Sequence, residues 1–466
     1  MNSPVPTGGS RSHLGRRVLL GFGLGSLGTG IYSSVPSVLL LYFMTDMLGI
    51  EPGLAGLGMF LPKMWDVITD PLMGVVSDRT RSRWGRRRPY LLVGALAMGV
   101  TFVFLFSVPE LDTASQRFLY VTVIYTLSAT AYTLYAVPYI AMPAEMSEDP
   151  HERTVSMSYR MGFALAGILI GSAVAPLAAG WFGGGREGYA RMSLAVGGFC
   201  VVTMLAAFFG TSRVPMRQHV DLGLGLREQV LLVMRNRPFL VLLGNYLLLL
   251  TGTGVLTAVV PYFVVHVLGE PAEKVGMVFL SLMLTAIVSM PLWSWLSRSL
   301  GKKGALAGAV VVLSAGCLTL LGTGPGYPAV ALYLQLALMG VGFAGAQLLP
   351  FSMLTDTIQL DTQHSGMNRE GLFTGMWTAG EKTGLALGPL LTGALLSWSG
   401  FVESSGAALV QTESARLGIK LTFAVLPPLL LLSSLLVLRA YRLHIPGSAT
   451  GSEPQEAAGA RVAPHS

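Results

Sequence analysis

Residues 53–74 read GLAGLGMFLPKMWDVITDPLMG, and residues 77–89 read SDRTRSRWGRRRP. The first stretch is apolar and about as long as a bilayer-crossing helix, which needs roughly 20 such residues. The second is polar and carries Arg79, Arg81, Arg83, Arg86, Arg87 and Arg88. An apolar run that ends in a cluster of arginines marks a membrane span and its cytoplasmic edge, because Lys and Arg collect in cytoplasmic loops. Inside the run stand Lys63, Asp66 and Asp70. A charge at that depth is costly unless it faces a cavity or a partner. The stretch therefore points to a fold class and to a functional site together.

The rest of the chain shares this character. Of its 466 residues, 52% are hydrophobic and only 12% are charged, against about 25% charged in a soluble domain. The mean hydropathy is +0.60. Apolar runs fall near 17–44, 53–77, 90–108, 118–144, 155–182 and 190–210, and again near 238–266, 274–296, 303–322, 327–355, 371–398 and 418–440. They are continuous rather than alternating, so they are helices and not barrel strands. The expected fold is an all-α membrane protein whose twelve transmembrane helices, spans 1 to 12, form two pseudo-symmetric six-helix bundles.

The domain reading follows. Residues 1–16 form a cytoplasmic tail, 17–210 and 238–441 the two bundles, and 442–466 a disordered cytoplasmic tail. Residues 211–237 form a basic cytoplasmic linker with Arg213, Arg217, Arg227, Arg235 and Arg237. Cationic links alternate with links poor in Lys and Arg, which places both termini on the cytoplasmic side of the inner cell membrane. The net charge of +7 follows from that asymmetry and calls for no nucleic-acid partner. Cys200 and Cys317 lie inside apolar runs and form neither a disulfide framework nor a metal-ligand spacing.

The two halves are related. LGIEPGLAGLGMFL after span 1 matches LGEPAEKVGMVFL after span 7, and VPYIAMPAEM at the end of span 4 matches LPFSMLTDTI at the end of span 10. Two six-span halves repeated in parallel are the pattern of major facilitator transporters, which bind substrate between the halves near the midplane.

On a helix, Asp66 and Asp70 share one face. Two buried carboxylates repel, so one takes a proton or a cation sits between them. The competing reading is an acid pair bridged to loop arginines. Lys63, one turn earlier, fits two roles, a counter-ion to the pair or a side chain snorkelling to the interface. Span 4 offers Tyr132, Thr133, Tyr135 and Tyr139. In span 5, Arg160 interrupts an apolar run and needs an acid partner or a cavity. Span 11 reads GLFTGMWTAGEKTGLALGPLL, with Glu381 and Lys382 well inside and Trp377 and Thr378 about one turn before. Lys382 turned toward span 2 would make an ion pair across the interface between the halves.

KMWDVITDPLMG followed by SRWGRRRPY closely resembles the glycoside–pentoside–hexuronide:cation symporters, the melibiose-permease group of the major facilitator superfamily. VPYIAMPAEMSEDPHERTVSMSYRMGFALAG and EGLFTGMWTAGEKTGLALG are similar to that family's span 4–5 and span 11 signatures. The resemblance extends from span 1 to span 12. It implies that Asp66 and Asp70 bind the coupling cation (sodium, if the protein is sodium-coupled) with Thr133. It implies substrate or coupling roles for Tyr132, Arg160, Lys382 and Thr378, to which Trp377 and Lys63 are added by position. It implies gate roles for Arg86, Arg87 and Asp78 in the loop after span 2, and for Asp356 ending span 10.

Two departures stand out. In melibiose-type relatives an aspartate in span 1 and another in span 4 hold sugar hydroxyls. Here those positions are Gly30 and Ala136, and a tryptophan one turn after the second is Ile140. The expected function is a secondary active symporter that couples Na+ or H+ entry to uptake of a small organic solute, a sugar or glycoside. The alternative is a lipid-like or other non-sugar solute. A receptor or membrane enzyme on the same scaffold is a distant third, because the sequence shows no nucleophile–base set and no phosphate-binding loop. The expected partners are the solute, the coupling cation and the lipid bilayer. No other cofactor is expected, and the working unit is expected to be a monomer.

Overall fold

The computed structural model describes residues 14–147, 149–212, 214, 231, 233–365, 369–406 and 409–441, and every regular element among them is helical. Most of the basic linker, with Arg213, Arg217 and Arg227, and nearly all of both tails lie outside the described residues. Spans 1 to 6 are the helices Arg16–Tyr42, Pro52–Arg79, Arg88–Phe106, Ala114–Met146, Pro150–Trp181 and Gly185–Gly210, and span 7 is Arg237–Tyr262. Spans 10 and 11 are Ala329–Ser365 and Glu370–Trp398.

Two boundaries differ from the sequence reading. Spans 8 and 9 run on as one helix, Lys274–Thr319, whose direction breaks at Gly301 with φ 70°. Only a residue without a β-carbon takes that conformation cheaply, so two spans meet there without a loop. Span 12 comes in two pieces, Glu413–Ala424 and Leu426–Arg439, parted at Val425 just before Pro427 and Pro428. A proline ring has no N–H to continue the ladder.

Local chemistry sets the helix starts. Glu51 accepts from the backbone N–H groups of Gly53 and Leu54, with Pro52 as the first helical residue. Thr113 and Gln116 form a reciprocal capping box at span 4, and Asp149 caps span 5 ahead of Pro150. Each cap satisfies N–H groups that no intrahelical carbonyl can reach.

Among the described residues nine helices are long and apolar enough to cross a membrane. Spans 2 and 11 are not among the nine. These two helices carry Lys63, Asp66, Asp70, Glu381 and Lys382, and they pack directly against each other between the halves. Spans 5 and 8, and spans 1 and 7, also meet between the halves. Small residues allow the close approach. A β-carbon at Gly56 would stand 3.0 Å from the Pro389 carbonyl, and one at Gly276 would stand 2.2 Å from that of Ala173.

The halves are latched at the end away from the arginine loop. Spans 1 and 7 finish in the matching sequences YFMTDMLG (42–49) and YFVVHVLG (262–269), and both wind into a π-helical turn, Phe43–Met47 and Phe263–Val267. Asp46 and His266 hold equivalent places in the two repeats and meet across the halves, with Nε2 2.7 Å from Oδ1. Tyr42 and Tyr262, also equivalent, pack edge to face at 5.5 Å. Thr45 hydrogen-bonds the Tyr262 hydroxyl at 2.8 Å, and the Asp46 carbonyl accepts from Ser404 and Gly406.

This end should open when the latch is removed. With Ser37→Cys in the cavity wall as the reporter, Asp46→Asn combined with His266→Ala should speed labelling by an impermeant thiol reagent applied to the latch face. An unchanged rate would mean the pair does not hold that end shut.

Candidate functional site

Helical spacing puts Lys63, Asp66 and Asp70 on one face of span 2, and that face meets Thr133 from span 4 and Lys382 from span 11. Asp66 has no solvent exposure. The Thr133 hydroxyl lies 2.7 Å from Asp70 Oδ1 and 3.3 Å from Asp66 Oδ1, so its one proton is shared between two carboxylates. Lys382 Nζ donates to Asp70 Oδ2 at 2.6 Å and stands 3.5 Å from Asp66 Oδ2. Lys63 Nζ is 3.8 Å from the same Asp66 oxygen. Despite these neighbours, Asp66 Oδ2 is a buried oxygen with no hydrogen-bond partner. The Tyr132 ring stands beside both ammonium groups, 5.6 Å from Lys382 and 5.9 Å from Lys63, and stacks on Tyr32.

The other residues singled out from the sequence spread further. Thr378 donates to the Thr374 carbonyl on its own helix. Trp377 is buried in the C-terminal half, stacked on Tyr246 at 4.1 Å and packed edge-on against Phe351. It is therefore a packing anchor. Arg160 contacts the Met157 sulfur at 3.6 Å. In the arginine loop, Arg86 and Arg87 both grip Glu145 at the end of span 4, each at 2.8 Å, and Arg87 also binds Asp78 and Ser77. In the second half, Asp356 takes both carboxylate hydrogen bonds from Lys302 at 2.7 Å. These ion pairs tie helices of one half to each other.

Sequence reading missed Glu145, although it stands in the quoted span 4 signature. It also missed Asp46 and His266, which the alignment of the two repeats would have paired.

A cavity of about 210 Å³ lies beside the charge cluster. Ser33, Ser34 and Ser37 of span 1 line one part of it, and Phe279, Met283 and Phe343 line another. Lys63 and Lys382 reach its wall. The position matching the first missing acid cannot contribute. A β-carbon at Gly30 would lie 2.5 Å from the Ala164 carbonyl and 3.1 Å from Gly167, where span 1 packs on span 5. Among the described residues, no group of three or more His, Cys, Asp or Glu gathers to hold a metal ion. The oxygen set is two carboxylates and a hydroxyl, a donor chemistry that suits an alkali cation or a proton rather than a transition metal.

Two bundles latched at one end, with a charge cluster and a cavity between them, define a membrane transport protein of the major facilitator fold. The chain belongs to the MFS/sugar transport protein family, whose model matches residues 21–444. It is 29% identical to the "Putative glycoside/cation symporter YagG" of Escherichia coli, covering 91% of each chain. It is 25% identical to the sodium-dependent lysophosphatidylcholine symporter 1-A of Danio rerio, covering 90% of this chain and 84% of that one. A bacterial homologue of the human lysosomal transporter Spinster, solved in an inward-facing and unoccupied conformation, matches with a TM-score of 0.72 at 13% identity. That match covers 93% of this chain and 98% of the other.

The ion pair between the halves can be measured directly. Lys382→Ala should cost on the order of 3 kcal/mol of stability, because it strands two carboxylates with only Lys63 nearby. Adding Asp70→Asn should recover part of that loss, giving a non-additive cycle in thermal melts. Simple additivity would show that Lys382 and Asp70 do not interact.

Proposed function

We propose that this protein is a secondary active symporter in which Asp66, Asp70 and Thr133 hold a Na+ or H+ whose entry drives uptake of a small organic solute. The observation that carries this reading is Asp66 Oδ2, a buried carboxylate oxygen that accepts no hydrogen bond although two ammonium groups stand within ion-pair distance. A buried carboxylate oxygen left without a hydrogen bond is costly, and a cation or proton would relieve that cost. Lys382 connects this occupancy to the fold, since it belongs to the other half. A cation on the carboxylates competes with the ammonium and so shifts the balance between the two states of the bundles.

With the arginine loop and both termini cytoplasmic, the Asp46–His266 latch lies outside and the conformation is closed to the exterior. Both halves, and every residue of the cluster, come from one chain, so a monomer suffices.

A sugar or glycoside is the solute that agrees with the serine-lined part of the cavity. The apolar wall of Phe279, Met283 and Phe343, and the replacement of both sugar-holding acids, favour a second reading, a solute with a substantial apolar portion. The relative named for lysophosphatidylcholine supports the same alternative.

Asp66→Asn or Asp70→Asn should abolish accumulation against a gradient in proteoliposomes while solute exchange persists, because solute and cation use different groups. Radiolabelled counterflow beside gradient-driven uptake, with Na+ and pH varied separately, measures this. Normal accumulation in either variant would remove the carboxylates from the coupling site.

A further inference from the structure

Asp46 and His266 close one end of the space between the halves. Ser37 of span 1 and Thr257 of span 7 line the cavity, and each latch residue lies about 14 Å further along its own helix. The pair is shut in. The Asp46 side chain is 6% exposed and that of His266 is 8% exposed. The rings of Tyr42 and Tyr262 lie 6.4 Å from the imidazole, and that of Phe401 lies 5.2 Å away.

The hydrogen bonds show which form Asp46 takes. The Thr45 hydroxyl has one proton to give. It goes to Asp46 Oδ2 at 2.7 Å in preference to the Tyr42 carbonyl at 3.3 Å. The Tyr262 hydroxyl, 2.8 Å from that of Thr45, is then the donor in their bond. His266 Nε2 takes the other Asp46 oxygen at 2.7 Å. Both oxygens accept, which is the pattern of an ionised carboxylate. A buried carboxylate needs a cation beside it.

The neighbouring groups supply none. Tyr42, Tyr262 and Tyr189, the last packed on Phe43 from span 6, carry hydroxyls of a kind that titrates at about 10. Glu270, one turn after His266, pairs with Lys274 at 2.6 Å. Glu403 is exposed in the loop before span 12. The first piece of span 12, which packs on the π-helical turn of span 7, carries Glu413, Arg416 and Lys420. Among the described residues, no ion pair joins any of these to Asp46, whose ion-pair partner is His266. The imidazole compensates the carboxylate only when it is protonated.

We propose that the Asp46–His266 pair is a proton-binding site that controls access to the cavity from the latch face. A bound proton makes the contact an ion pair and holds the gate shut. Without it, a neutral imidazole faces the carboxylate and the gate is weaker. Opening separates the pair into water, where the proton is held less firmly, so opening and proton release favour each other. The gate is closed at acid pH and freed as the pH rises through the imidazole range. This proton is taken up and released on one side, so it is not carried across. A coupling proton speeds uptake when the outside is acidified, whereas the latch proton slows opening. The inference rests on the latch geometry and not on which cation is coupled.

The test measures labelling of Ser37→Cys in the full-length protein, in membrane vesicles of one orientation. An impermeant thiol reagent and the pH change are applied to the latch face alone. Each rate is divided by that of the same cysteine in the Asp46→Asn, His266→Ala background, which removes the pH response of the thiol and of the rest of the protein. The normalised rate should be roughly fivefold higher at about pH 8 than at about pH 5.5, the scale that separates a charged from a neutral hydrogen bond. His266→Gln keeps a donor for Asp46 without a titrating charge and should abolish the step. Asp46→Asn should abolish it too, and it decides the question if His266→Gln does not fold. A normalised rate in the intact latch that is flat, or that falls as the pH rises, would overturn the proposal. So would a step of the same size in folded His266→Gln or in Asp46→Asn.

Discussion

The contact on which the rest of this structure depends is the ion pair between Lys382 and Asp70. It is the shorter of the two ion pairs by which Lys382 reaches from one bundle to the other, and it sits at the depth where charge is least tolerated. Neither residue is stable there alone. Lys382 needs a carboxylate, and the two carboxylates need cations to offset their mutual repulsion. Spans 2 and 11 can carry these groups only because they face each other across the interface rather than facing lipid. The requirement that every buried charge have a partner thus selects which helices meet between the halves.

The repeat explains how one chain supplies matching parts to both sides. Asp46 and His266 stand at equivalent places in the two halves and bond to each other, so the latch is one structural motif used twice and made complementary by an acid in one copy and a histidine in the other. At the opposite end each half braces itself instead, with Arg86 and Arg87 on Glu145 and Asp78 in the first half and Lys302 on Asp356 in the second. Pairs within a half keep a bundle rigid while the bundles rock. A pair between halves holds one state of the rocking equilibrium.

The missing acids have a structural meaning as well as a chemical one. Gly30 is a point of backbone contact between spans 1 and 5, with no room for a larger side chain. At this position the chain places a backbone-to-backbone packing contact between spans 1 and 5 where melibiose-type relatives carry an acid.

Much of this was legible in the chain alone. Twelve apolar runs, arginine-rich loops on one side and two related halves determine the architecture, because bilayer thickness and the cost of unsatisfied backbone leave few alternatives. The spacing of Asp66 and Asp70 determines that they share a face, because helical periodicity is local. Sequence did not determine which groups would answer them. Lys382 stands more than three hundred residues away, and Trp377, its close neighbour in sequence, turned out to pack into the second bundle instead. Nor could it show that Glu145 would anchor both loop arginines, or that Gly301 would join two spans without a loop. Those outcomes depend on the rotation and separation of whole helices, which are fixed by small-residue contacts such as Gly56 on Pro389. Only the assembled bundles bring distant side chains within the few ångströms at which charges pair.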